Sequence, residues 1–173
     1  MIRVLVAYES KHKGTAEIAA RIAETLRAAD LAVDLRPAAD VRDVDEYAAV
    51  VLGSGVYAGR WLPAARRTLR HQAGALGERD LWLFSSGPAG NEPAELAKAA
   101  PRAVERAAER LRARDHAVFG GRVPADPRGP FERMVVRTWP KSKPTDSRDW
   151  QAVERWASGI AAAVQRQREP VAG

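Results

Sequence analysis

Short runs of unbroken apolar residues alternate along the chain with stretches in which apolar residues recur every three to four positions. Val4-Leu5-Val6-Ala7 has no polar interruption, so Ile2 to Tyr8 reads as a strand buried on both faces. From Thr15 the period changes. Ile18, Ile22 and Leu26 sit four apart with Ala19 and Ala23 beside them, which predicts one apolar helix face. Leu31 to Leu35, Tyr47 to Gly53, Leu81 to Ser85 and His116 to Gly120 read as four more short strands. A helix is predicted to open at Pro63, whose ring suits a first turn, and another to run from Pro101 to Leu111. The last is the clearest: Trp150, Val153, Trp156, Ala157, Ile160 and Val164 share one face. This alternation predicts an α/β fold, a doubly wound five-stranded parallel sheet in the order 2-1-3-4-5 with helices on both faces. Its ligand crevice would lie beyond the carboxyl ends of the first and third strands. A Pro-rich stretch from about 124 to 147 exceeds that plan and reads as an insertion after strand five.

Length and composition narrow the picture. With 173 residues, 46% of them apolar, the chain is expected to form a single domain over 1–173 with a real core. The absence of cysteine excludes disulfide frameworks, thiolate metal sites and thiol catalysis. No apolar stretch approaches the roughly 20 residues that span a bilayer, and the N-terminus does not read as a signal peptide. A cytoplasmic location is the expectation. The net charge of +6 favours anionic partners. It is concentrated between Arg122 and Lys143, where six basic residues face only Asp126 and Glu132. Nucleic acid is not the expected partner: no recognition motif is present, and Glu105 and Glu109 interrupt the basic helix between Arg102 and Arg114.

The candidate chemistry lies in three turns. Ser10, Lys11, His12, Lys13, Gly14 and Thr15 join the first strand to the first helix. A helix start offers unpaired N–H groups and the positive end of its dipole. The two hydroxyls add donors, glycine permits close approach, and the basic side chains add charge, so the turn has the makings of a phosphate cradle. It is neither a Walker A loop nor a GxGxxG fingerprint. The plainer reading is an ordinary turn with Thr15 as a cap. Two further turns at the same sheet edge are rich in small residues: Ser54, Gly55, Val56, Tyr57, Ala58, Gly59 and Trp61, then Ser86, Gly87, Pro88, Ala89, Gly90 and Asn91. Small residues let backbone amides reach a flat ring. Tyr57 and Trp61 could stack on it, although each taken alone is more simply a packing residue.

At these residues the chain resembles flavodoxin-fold proteins, which bind FMN. Within that group it is most similar to the flavodoxin-like, menaquinone-dependent protoporphyrinogen oxidases. The likeness covers nearly the whole chain and rests on YESKHKGT, VVLGSGVYAGRWLPAARR, VFGGRV, the insertion FERMVVRTW and DWQAVERWASGIA. It implies a flavodoxin-like fold, with the FMN phosphate at Ser10 to Thr15 and the flavin ring between Ser54–Trp61 and Ser86–Asn91. Lys13 departs from the family pattern, in which glycine is usual there. Its side chain would either crowd a phosphate or pair with it.

What the resemblance implies about function is an FMN-dependent oxidoreductase of haem biosynthesis. Electrons would pass from a small-molecule redox substrate, such as protoporphyrinogen IX, through FMN to a quinone. No side chain is singled out as a catalytic acid or base, and no metal site is expected. His12 reads as a phosphate neighbour, His71 as a solvated surface residue and His116 as structural. Arg133, Arg137, Trp139, Lys141 and Lys143 would touch substrate carboxylates or the anionic inner face of a membrane, where quinone resides. Alternatively, the segment is a surface lid with solvated charges. Two other classes compete. A flavodoxin-type electron-transfer protein is one, although the basic balance is unusual for it. The other is a flavodoxin-fold binding module that has lost FMN. A phosphorelay receiver is excluded, because Gly53-Ser54 stands where its aspartate would be.

Overall fold

The apolar runs become a sheet with an apolar layer on each side. The computed structural model describes residues 1–87 and 92–167. Five strands, β1 (Arg3–Glu9), β2 (Ala32–Pro37), β3 (Ala49–Tyr57), β5 (Asp80–Gly87) and β6 (Asp115–Gly120), lie parallel in the order β2-β1-β3-β5-β6. This is the expected doubly wound order. A sixth strand, β4 (Arg60–Trp61), pairs antiparallel with the end of β3.

Alternate residues of each strand feed opposite layers, as the pleat requires. Val4, Val6, Val51, Trp82 and Phe84 pack against α1 (Gly14–Ala28) and α7 (Trp150–Arg166). Leu5, Ala7, Val50, Leu52, Leu81 and Leu83 face α2 (Pro63–His71), α3 (Ala73–Gly77) and α5 (Arg102–Leu111). Both layers are apolar, which is why these strands carry no polar alternation. Phe84, Phe119 and Trp156 meet edge-on or tilted, with ring centroids 5.6–6.3 Å apart. Gly53 is required by this packing, since a Cβ there would lie 2.2 Å from the Phe84 ring.

The sequence pattern places β3 four residues short. The strand continues through Ser54 to Tyr57, then turns back through Ala58 and Gly59, both at positive φ (49° and 72°), into β4. Two left-handed residues make the tight hairpin turn whose twist matches its strands. Small residues that read as loop are therefore strand and turn. The short helices α3 and α4 (Pro93–Ala99) carry no periodicity long enough to announce them.

The insertion holds its own helix, α6 (Pro130–Thr138), and its two ends are pinned together. Val123 N–H donates to Thr145 O at 2.7 Å and Ser147 N–H to Gly121 O at 2.9 Å. Arg148, buried at this base, forks onto Asp146 at 2.6 and 2.9 Å and also reaches Glu17 on α1. Gly121 passes the end of β5 so closely that a Cβ would lie 2.3 Å from Gly87 O.

Candidate functional site

Parallel register gathers the three turns at one edge. Glu9 is level with Ser54, Gly55 with Ser86, and Gly87 with Gly120. A cavity of about 570 Å³ opens there, within the range of small-molecule sites. Ser10, His12, Gly14 and Thr15 form one end, Gly55 to Arg60 one side, and Ser86 with Gly87 the floor. The link from Lys98 to Ala103 and the α6 residues Phe131, Glu132 and Val135 close the remaining sides.

At the cradle end, Lys13 takes φ 64° and ψ −14° immediately before α1. That left-handed step lets the chain enter the helix with its N–H groups facing the cavity end. The first helical bond runs from Glu17 N–H to Lys13 O at 2.9 Å, so Gly14, Thr15 and Ala16 keep N–H groups without an intrahelical acceptor. Thr15 is buried and lies against Gly55, where a Cβ would stand 3.2 Å from its hydroxyl. Arg122 donates to His12 O at 3.0 Å and brings a further cation to the rim.

Lys11 and His12 also meet a group that the sequence did not single out. Glu132 on α6 pairs with the Lys11 ammonium, and its other oxygen lies 3.0 Å from His12 Nε2. The same oxygen accepts from Arg128 N–H at 2.7 Å. Burial alone would push this carboxyl up. Lys11, the Arg128 N–H and His12 outweigh burial and hold it down at about 2. Lys11 also lies over the Tyr57 ring at 5.5 Å. Burial first, and then the Glu132 charge, push the Tyr57 phenol up to about 12, so it stays neutral. No local pattern marks Glu132 in the sequence; its partners Lys11 and His12 lie more than a hundred residues away.

The other expected site residues divide. Val56, Tyr57, Ala58, Gly59, Ser86 and Gly87 line the cavity with Gly55. Ser54 is fully buried instead, and its hydroxyl donates to Gly55 O and accepts from Leu62 N–H at 3.0 Å. Trp61 takes the packing role rather than the stacking one. It is buried, and its indole donates to Ser85 Oγ at 2.7 Å. Ser85 Oγ in turn lies 2.8 Å from His116 Nε2, and burial pushes the His116 ring pKa down, keeping it neutral. Pro88, Ala89, Gly90 and Asn91 lie outside the described residues. In the insertion, Lys143 is engaged with Glu95 on α4, and the Trp139 indole donates to Pro144 O at 3.3 Å, so neither is free in the way expected. Arg133, Arg137 and Lys141 are exposed.

A doubly wound sheet with a helix-start anion cradle and two small-residue turns beside it defines a mononucleotide-binding α/β protein. The flavodoxin domain model matches residues 5–149, and the chain belongs to that family. FMN is the cofactor this membership implies. The cavity fits it: a cradle of free N–H groups stands at one end, and backbone from Gly55 and Gly87 lies open at the flank. Among solved structures, a flavodoxin from the Archaea superposes with a TM-score of 0.63 at 14% identity, covering 95% of this chain and 99% of that one. The flavodiiron core of a Synechocystis protein gives 0.68 at 16% identity, covering 96% of this chain and 37% of the other. The rubredoxin oxygen:oxidoreductase of Desulfovibrio gigas gives 0.66 at 18% identity, with 97% and 37% covered. A comparison with curated proteins finds no match.

Proposed function

We propose that the protein is an FMN-dependent oxidoreductase of the protoporphyrinogen oxidase type, taking hydrogen from a reduced substrate and passing electrons to a quinone. The observation that carries this reading is the second wall of the cavity. Phe131 and Val135 of the insertion face the cradle side across the same space that Gly55 and Gly87 border. A cofactor lying there would share its chamber with an apolar second molecule. Arg60, Lys98, Arg102 and Arg122 ring the opening and suit a substrate with carboxylates.

FMN, when bound, supplies the electron-accepting chemistry. The chain's own residues bind and orient. The α1 N–H groups and the Ser10 and Thr15 hydroxyls would hold the phosphate. Tyr57, as a neutral phenol, would border the ring, and Phe131 with Val135 would keep water from it. Partners follow from the outer face of α6, where Met134 and Val136 are exposed among Arg133, Arg137 and Lys141. Cations mixed with apolar side chains suit peripheral contact with an anionic membrane, the reservoir of quinone. No helix among the described residues is long and apolar enough to cross one.

The test is anaerobic. Protein loaded with FMN should bleach when a porphyrinogen is added and recover its yellow colour with a menaquinone analogue. Bleaching only by a protein reductase would favour the second reading, a flavodoxin-type electron carrier. Full-length similarity to an archaeal flavodoxin supports that alternative.

A further inference from the structure

Helix α6 lines the cavity with Phe131 and Val135 and leaves Met134 and Val136 exposed, yet the one residue it buries is the carboxylate Glu132. What receives that carboxylate is not the apolar core but Lys11 and His12, two side chains of the phosphate loop. A buried acid is stable only while its partners stay, so α6 sits on the loop through charges that the loop also offers to an anion.

We propose that Glu132 is an internal anion that competes with the cofactor's phosphate for Lys11 and His12, so that loading of the phosphate loop and docking of α6 oppose each other. The inference rests on the FMN reading and adds a device to it. Glu132 takes the Lys11 ammonium and the His12 ring nitrogen of the loop, while the N–H groups at the start of α1 remain for the phosphate. A phosphate carrying up to about two negative charges beside a shielded carboxylate is repelled unless the carboxylate yields its partners. The base of the insertion is pinned separately, by Arg148, by the 121–123 and 145–147 pairing and by Lys143 on Glu95, so the Glu132 contacts can change without loss of the base. The reciprocal consequence is that FMN weakens the seating of α6 without removing Phe131 and Val135 from the cavity wall.

The experiment compares the parent with Glu132→Gln in low salt, titrating FMN and riboflavin by flavin fluorescence. Riboflavin lacks the phosphate. The expected result is FMN affinity raised about fivefold or more in the variant, the lower end of ordinary coupling, with riboflavin unchanged. Glu132→Asp, which keeps the charge, should return toward the parent value. Weakening of both flavins alike would make Glu132 a mere wall support and overturn the proposal, as would equal FMN affinity. FMN binding to neither protein would bring down the FMN reading together with it. On the parent itself, hydrogen exchange over 128–138 should quicken with FMN and not with riboflavin. Unchanged or slower exchange refutes the coupling without any variant.

Discussion

Lys13 holds a left-handed conformation at φ 64°, where a side chain costs about 1 kcal/mol or more and glycine costs almost nothing. Lys13→Gly should therefore stabilise the protein by about 0.5–1 kcal/mol after the loss of glycine's own chain entropy, read by urea denaturation. A lower stability would show that the ammonium makes a contact worth more than the strain. On the proposed reading the two hydroxyls of the same turn serve phosphate binding. Ser10→Ala with Thr15→Ala should weaken FMN by about tenfold or more, taking about 1 kcal/mol for each lost hydrogen bond. Gly121 gives a third residue-level test. A methyl group there meets Gly87 O at 2.3 Å, so Gly121→Ala should cost about 1–3 kcal/mol and broaden resonances at the base of the insertion. Lys13 and Gly121 stand out in the primary structure only as a basic and a small residue near a turn. Their φ angles and close approaches belong to the folded chain.

Among the elements, α6 carries a pH dependence that can be worked out from Glu132. The Glu132 carboxyl is held at about 2 against an ordinary 4.5, so it binds its proton less readily when docked. Its contribution to docking is complete above about pH 4.5 and falls away as the pH drops toward 2. Hydrogen exchange of residues 128–138 should be flat from pH 7 to 5, after correction for intrinsic rates, and lose protection below. Protection persisting at pH 2 would mean that Phe131 and Val135 hold the helix without the carboxylate. The elements also show where pattern reading succeeds. α1 and α7 were legible because long helices with one apolar face repeat their signal over several turns. β4 and the last turn of β3 were not, because Gly-Ser-Gly reads as loop whenever its pairing partner lies elsewhere in the chain.

Across the whole molecule, charge is unevenly placed, and the basic insertion carries its exposed apolar residues outward. If that face meets a membrane, Arg137→Glu with Lys141→Glu should weaken binding to vesicles containing phosphatidylserine by tenfold or more, at about 1 kcal/mol per basic residue removed. Cosedimentation equal to that of the parent would assign the patch to substrate or solvent. The base of the insertion should be indifferent to this change, since Arg148, Asp146 and Glu17 hold it from the opposite side.

The order of strands, the two apolar layers and the place of the turn between β1 and α1 were legible in the chain, because each depends on local period and on the short-range rules that join a strand to the next helix. The phosphate turn lies within one such connection, so its residues could be named before any fold was known. The pairing of Glu132 with Lys11 and His12 spans more than a hundred residues, and the same is true of Arg122 on His12 O. Pairings of that separation depend on where packing brings two distant segments, and composition ranks every carboxylate near every cation alike. Tertiary structure alone decided that the insertion's acid, rather than its conspicuous basic residues, would turn inward to Lys11 and His12. The burial of charge is settled by the partners that surround it after folding, not by the residue that carries it.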